Sequence, residues 1–285
     1  MDRVTISNLT QRARKGEKLT LVAAHDHPTA EALEEAGIDV ILVSDALGPT
    51  ALGYDSVFPV SLEEMVHHTR AVARAAKRAL VAATLPLGSY ETAEAAVGNS
   101  LRLVKEAGAA AVELEGNREI LEQVRAVSRA GVPVFSHIGL TKQITLRRGG
   151  FTVVGREAAS GAELLEAARA HEEAGAAALI VECVPDRLAA LITRRAAIPV
   201  FGIGAGPHCH GQALVAADML GLFTGFVPKF AKRYADLGKL MREAFAAFRQ
   251  EAAAGVFPGE EHSFTMRDEE FDLLRTQERP EGDEA

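Results

Sequence analysis

The chain has 285 residues, 48% of them hydrophobic and none tryptophan, a length that suits two smaller domains or one α/β barrel of about 250 residues. Its formal charge of −8 is uneven: residues 267–285 hold eight acids against three bases, so the body is near −3 and offers no footprint for nucleic acid or an anionic membrane. Cys183 and Cys209 form no CxxC pair, residues 1–10 lack the apolar core of a signal peptide, and no apolar run nears the roughly 18 residues that span a bilayer, so a cytoplasmic protein without a disulfide framework is expected.

Taken in order, apolar runs predict strands over 19–25, 39–45, 79–85, 110–115, 132–137, 178–184, 199–204 and 213–219. Helical spacing falls between them, over 28–36, 61–77, 91–107, 118–130, 160–174, 185–196 and 235–253. A phrase recurs at the joints: Glu-Glu-Ala-Gly37, Lys-Glu-Ala-Gly108, Ser-Arg-Ala-Gly131 and Glu-Glu-Ala-Gly175 each precede an apolar run. This is a helix end with its glycine just past the last turn, followed at once by a strand. Several strands are apolar throughout, as parallel strands covered on both faces must be. Eight such strands alternating with helices fit a (β/α)8 TIM barrel over residues 1–264, a single domain. The Gly202-Ile-Gly-Ala-Gly206 run follows a late strand, not the first, which argues against a dinucleotide-binding fold. Two connections, 46–60 and 139–159, are long enough to be lids or substrate walls. The acidic segment 265–285 is expected to be a disordered tail.

Chemistry on a barrel concentrates at the carboxyl ends of the strands. There the sequence places Asp26, Asp45, Thr84, Glu113, Glu115, His137, Glu182 and Asp218. Glu113 and Glu115 are two apart and project to the same side of their strand. A carboxylate within an apolar strand is costly unless paired or bound to metal, and convergent carboxylates suit Mg²⁺ among common ions. Glu182, in the frame Leu-Ile-Val-Glu-Cys-Val, is placed to act as a general base beside a carbonyl. His208-Cys209-His210 looks like a ligand run, but adjacent residues rarely point at one ion.

At these residues the chain resembles ketopantoate hydroxymethyltransferases. The matching phrases are Asp45-Ala-Leu-Gly48, Gly53-Tyr-Asp-Ser56, Leu114-Glu-Gly116, His137-Ile-Gly-Leu-Thr141, Glu182-Cys-Val-Pro185 and Gly202-Ile-Gly-Ala-Gly206, collinear with others over about 4–264. The resemblance implies a barrel of the phosphoenolpyruvate mutase/isocitrate lyase type, a decameric homo-oligomer, and a step in pantothenate biosynthesis. It implies that Mg²⁺, or another divalent cation, holds 3-methyl-2-oxobutanoate while a base removes its C3 proton. The enolate then takes a one-carbon unit from methylenetetrahydrofolate. Carried over by position, Asp45 and Glu115 would be metal ligands, His137 would contact the oxo acid, and Glu182 would be the base.

The chain departs from the family's pattern at three substrate-facing positions. Ala46 stands where the family has serine, Thr84 where it has a second metal-site aspartate, and Glu113 where it has lysine. On this reading Glu113 supplies the carboxylate missing at 84 and joins Asp45 and Glu115 around the cation. The departures leave two alternatives open: a specialised paralogue with enolate chemistry on a different carbonyl substrate, and a catalytically silent barrel. Either way a small-molecule ligand is expected, without nucleic acid or membrane.

Overall fold

The structure is a computed structural model that describes residues 3–223 and 225–276. Eight parallel strands close a barrel in sequence order: β1 (Leu19–Ala23), β2 (Val40–Val43), β3 (Leu80–Thr84), β4 (Ala111–Glu115), β5 (Val134–Gly139), β6 (Ala178–Glu182), β7 (Val200–Ile203) and β8 (Gly211–Val215). The last strand pairs back onto the first. Helices α2 (His27–Glu35), α3 (Leu62–Ala75), α4 (Ala93–Lys105), α5 (Leu121–Arg129), α7 (Ala158–Glu173) and α8 (Asp186–Arg195) follow their strands as expected.

Strand side chains divide by parity. Leu19, Leu21, Val40, Leu42, Leu80, Ala82, Ala111, Phe135, Ala178, Ile180, Phe201 and Ala213 form one buried cluster drawn from all eight strands, the barrel interior. Their neighbours, such as Ile41, Val81 and Val112, pack outward with helix residues. Within the interior Phe135 and Phe201 stack with centroids 6.1 Å apart. Stepping two residues onward along the inward parity replaces apolar side chains by Thr84, Glu113, Glu115, His137 and Glu182. The registers Thr84↔Glu113, Glu115↔His137 and Gly139↔Glu182 set these residues on adjoining strands.

Three elements differ from expectation. Helix α1 (Ile6–Arg14), opened by a Thr5–Asn8 capping box, adds Leu9 and Ala13 to the interior cluster. Its Arg12 forms an ion pair with the buried Asp39, whose Oδ2 also accepts from the Thr20 amide at 3.0 Å. Ile6, Leu9 and Ala13 stand at helical spacing behind the Thr5–Asn8 cap, a short signal that the expected helices leave out. The eighth strand runs over 211–215 and not 213–219, because its partner β1 ends at Ala23, which pairs with Val215. Residues 216–219 turn into the short helix α9 (Ala216–Met219), so Asp218 sits on a helix and not on a strand. The two long connections carry structure of their own: a π-helical turn over Gly48–Leu52 and helix α6 (Lys142–Arg148).

Residues Leu237–Ala285 form a second compact unit beside Met1–Asp236, and the expected boundary at 264 falls inside it. It contains α10 (Leu237–Ala253), on which no residue is buried, and a Phe248–Phe257 ring contact at 5.6 Å. The segment expected to be disordered carries helix α11 (Asp268–Arg275). Residues 277–285 lie outside the described residues.

Gly139, at the end of β5, has φ +100°, and a Cβ there would lie 2.3 Å from the Glu182 carbonyl oxygen. Only glycine accepts both the backbone conformation and the approach. Gly139→Ala is expected to cost roughly 2 kcal/mol or more in urea unfolding, and to lower activity by displacing the end of β6.

Candidate active site

The inward polar residues open into a cavity of about 660 Å³ at the carboxyl ends of the strands, lined among others by Asp45, Ala46, Glu113, Glu115, His137 and Glu182. Of the residues nominated from sequence at the strand ends, Thr84 and Asp26 do not line it. Thr84 is fully buried and its hydroxyl donates to Glu113 Oε2.

The arrangement is two linked ion-pair groups. His137 Nδ1 lies 2.7 Å from Glu113 Oε1, and its Nε2 lies 3.0 Å from Glu182 Oε2. On the other side Lys142 Nζ sits 2.9 Å from Asp45 Oδ2 and 2.6 Å from Glu115 Oε2. The Lys142 backbone N–H also donates to Glu115 Oε1. Tyr90 secures Glu115 from behind, its hydroxyl donating to the Glu115 carbonyl at 2.9 Å. The Lys142, Asp45 and His137 contacts are at ion-pair distance but off hydrogen-bond angle, so Lys142 Nζ, Asp45 Oδ2 and His137 Nε2 keep unused bonding capacity inside the site. Buried polar atoms in that state await a ligand or water.

The charges are set by these contacts. Burial alone would lower the His137 pKa, but Glu115, Glu113 and Glu182 outweigh it and hold it well above the ordinary imidazole value. Burial would likewise discharge Lys142, and Asp45 and Glu115 keep it protonated. Burial pushes Asp45 up to about 6 against the pull of Lys142. For Glu113, burial is outweighed by the His137 hydrogen bond and its pKa falls. His137 therefore contributes stability below its unfolded pKa that is lost only as pH rises through its raised folded value. Its ring nitrogens are expected to show no titration through pH about 6 to 7.5 in ¹⁵N NMR. Glu113→Gln should bring a titration down toward that window.

Lys142 was not among the residues singled out in the sequence, where the matched phrase stops at Thr141. The signal was present: Thr141 caps α6, which puts a lysine at the first helical position, where the helix dipole disfavours a cation. A cation there needs carboxylates, and the strand ends supply them. Asp26 has a local role instead, as the cap of α2 accepting from the Thr29 amide at 2.8 Å. His210 accepts the Val200 amide at 3.1 Å and Cys209 is buried in the outer layer, so that run belongs to packing.

The residue at Glu182 is held by unusual backbone. Cys183 has φ +50°, the one described residue other than glycine in the left-handed region. Such a conformation persists where surrounding structure imposes it and clusters at functional sites. Here the Cys183 amide donates to Ile203 and its carbonyl accepts from Val154, both at 2.9 Å.

Comparison with known proteins agrees with this geometry. The ketopantoate hydroxymethyltransferase family matches residues 3–260. A 3-methyl-2-oxobutanoate hydroxymethyltransferase of Moorella thermoacetica is 49% identical over 263 residues, 92% of this chain and 98% of that one. That of Carboxydothermus hydrogenoformans is 48% identical, covering 94% and 98%. Among solved structures, a phosphonopyruvate hydrolase complex with oxalate and Mg²⁺ has a TM-score of 0.60 at 16% identity, covering 96% of this chain and 99% of that one. A 2,3-dimethylmalate lyase of the PEP mutase/isocitrate lyase superfamily has 0.59 at 14%, covering 97% and 99%. The distant structures share the barrel alone, whereas identity near one half across almost the full length of both chains is kinship of another order: the chain belongs to the ketopantoate hydroxymethyltransferase family.

Proposed function

We propose that the chain transfers a hydroxymethyl group from methylenetetrahydrofolate to 3-methyl-2-oxobutanoate, giving 2-dehydropantoate in pantothenate biosynthesis. The observation that carries this is Glu182 at the cavity wall, 3.0 Å from His137 and opposite a buried ammonium. Glu182 takes the C3 proton, the electron pair moves into the C2–C3 bond, and the C2 oxygen becomes an enolate oxygen stabilised by fixed positive charge. Water breaks the two C–N bonds of the donor's methylene carbon, which leaves tetrahydrofolate and a formaldehyde unit; the enolate carbon bonds to that carbon as the C2 carbonyl re-forms, and the former formaldehyde oxygen takes up a proton as the new hydroxyl.

Several features support an anionic 2-oxo acid. Glu113 stands where a lysine would favour a carboxylate, but Lys142 returns a cation to the same cavity, which removes the main reason for a less anionic substrate. Ala46 lines the cavity with a methyl group, so a substrate carboxylate there is recognised by backbone N–H groups. At the rim Phe151 and Phe226 lie 5.7 Å apart, tilted by 45° and more than half exposed, an apolar aromatic pair on which a pterin ring can pack.

The Mg²⁺ implied by the resemblance meets suitable donor types, and Glu113, Glu115 and His137 offer ligand atoms within 4.8 Å of one another. As arranged, those atoms are engaged by the chain's own side chains and backbone. Exposed Leu240, Met241, Phe245 and Phe248 on α10 favour a homo-oligomer. Among the described residues no helix is long and apolar enough to cross a membrane, consistent with a cytoplasmic enzyme.

The test is ¹H NMR of 3-methyl-2-oxobutanoate in D₂O. Loss of the C3 proton signal with enzyme, and 2-dehydropantoate on adding methylenetetrahydrofolate, are expected. Exchange without product would transfer the chemistry to another donor, and neither would sink the proposal.

A further inference from the structure

The four oxygens of Glu113 and Glu115 each meet a donor from the chain. Glu113 Oε1 faces His137 Nδ1 at 2.7 Å and Oε2 takes the Thr84 hydroxyl. Glu115 Oε1 takes the Lys142 amide and Oε2 faces the Lys142 ammonium at 2.6 Å. Asp45 Oδ2 faces the same ammonium at 2.9 Å. Both nitrogens of His137 lie against carboxylates, so neither is placed to offer a lone pair to a metal. A divalent cation shared by Asp45 and Glu115 would have to occupy the volume that Lys142 Nζ already fills. An ammonium with oxygens at 2.6 and 2.9 Å is seated as a cation in an oxyanion cage.

We infer that the Lys142 ammonium takes the place of a divalent cation in this active site, and that the chain binds and enolises its 2-oxo acid without a metal.

Three further observations fit. The Lys142 side chain is 6% exposed, yet it lines the cavity and its Nζ retains bonding capacity. Nζ itself is enclosed, so a substrate's C2 oxygen comes beside it as the side chains around it open toward the cavity. Each of Asp45, Glu113, Glu115 and Glu182 also meets Lys142 or His137 at contact distance, so two positive charges of the chain itself offset half of the four negative ones. Finally, two carboxylates flank the ammonium at 2.6 and 2.9 Å, which suits Lys142 to electrostatic work and not to carbinolamine or Schiff-base formation, which needs the free amine. In the step itself the C3–H bond breaks, Glu182 receives the proton, and the negative charge gathers on the C2 oxygen beside Nζ.

The inference rests on the enolisation reading, so the experiment has two separable arms. The first is Mn²⁺ binding, followed by electron paramagnetic resonance and calorimetry on the full chain without substrate. Wild type is expected to show no stoichiometric site at millimolar Mn²⁺, while Lys142→Ala gains one per chain. If Lys142→Ala fails to fold, Lys142→Met, which keeps most of the side-chain volume, takes its place. The second arm is C3 exchange in D₂O with chelator present. It is expected to persist, to change less than about twofold on adding Mg²⁺, and to fall by about a hundredfold or more in Lys142→Met. A stoichiometric Mn²⁺ site in wild type would overturn the inference, as would exchange that chelator abolishes and Mg²⁺ restores. Absence of exchange under both conditions would remove the enolisation reading, while the Mn²⁺ arm would still decide whether the ammonium holds the cation's place.

Discussion

Glu182→Gln is expected to slow C3 proton exchange by about a thousandfold, the usual range for loss of a positioned general base, with little change in the substrate's KM. The replacement has the same shape and can still accept at the position 3.0 Å from His137 Nε2. The left-handed Cys183 that orients it is untouched. What disappears is the basic lone pair, so the loss belongs to kcat. Thermal unfolding should move by no more than a few degrees, which separates a chemical defect from a folding one. A fall of less than about tenfold would place the base elsewhere.

Lys142→Met is expected to cost about 3–5 kcal/mol of stability at neutral to mildly alkaline pH, since removing one partner of a buried ion pair leaves the other uncompensated. Two carboxylates, Asp45 and Glu115, lose their shared cation. The deficit should shrink on acidification. Burial already pushes Asp45 up to about 6 in the presence of Lys142, and removal of the lysine raises it further. A carboxyl whose folded pKa exceeds its unfolded value costs stability above that pKa, and the cost is relieved as pH falls toward the unfolded value. Denaturant titrations of both proteins at pH about 8 and about 5.5 measure this, with the gap narrowing at the lower pH. Added Mn²⁺ should narrow it at the higher pH too, through occupation of the vacated cage.

The barrel was legible because its signals are local. Each helix end with its trailing glycine abuts its strand, and the parity that buries Ala82, Phe135 and Ile180 also carries Thr84, His137 and Glu182 to the mouth. Glu113 and Glu115 were readable as one face for the same reason. Failures came where the cause is non-local. Helix α1 carries a pattern of only three apolar residues, Ile6, Leu9 and Ala13, and its weight comes from the barrel end that Leu9 and Ala13 pack into. The end of β8 is dictated by the length of β1. Lys142 has a role only because Glu115, 27 positions earlier, and Asp45, in the turn after β2, meet it. A lysine in a polar stretch looks like any solvated lysine until the fold brings those acids to it. The resemblance directed attention to missing side chains at 46, 84 and 113, whereas the compensating residue lay just beyond the phrase that was matched.

The stacked Phe135 and Phe201, with Leu9 of α1 in the same apolar cluster, give the barrel a solid floor, so molecules come and go through one mouth. On the proposed reaction, a small acceptor reaches the deep end before the bulkier donor covers the mouth. Turnover is then expected to be ordered, acceptor in first and its product out last, with excess donor acting as a cork on the empty vessel.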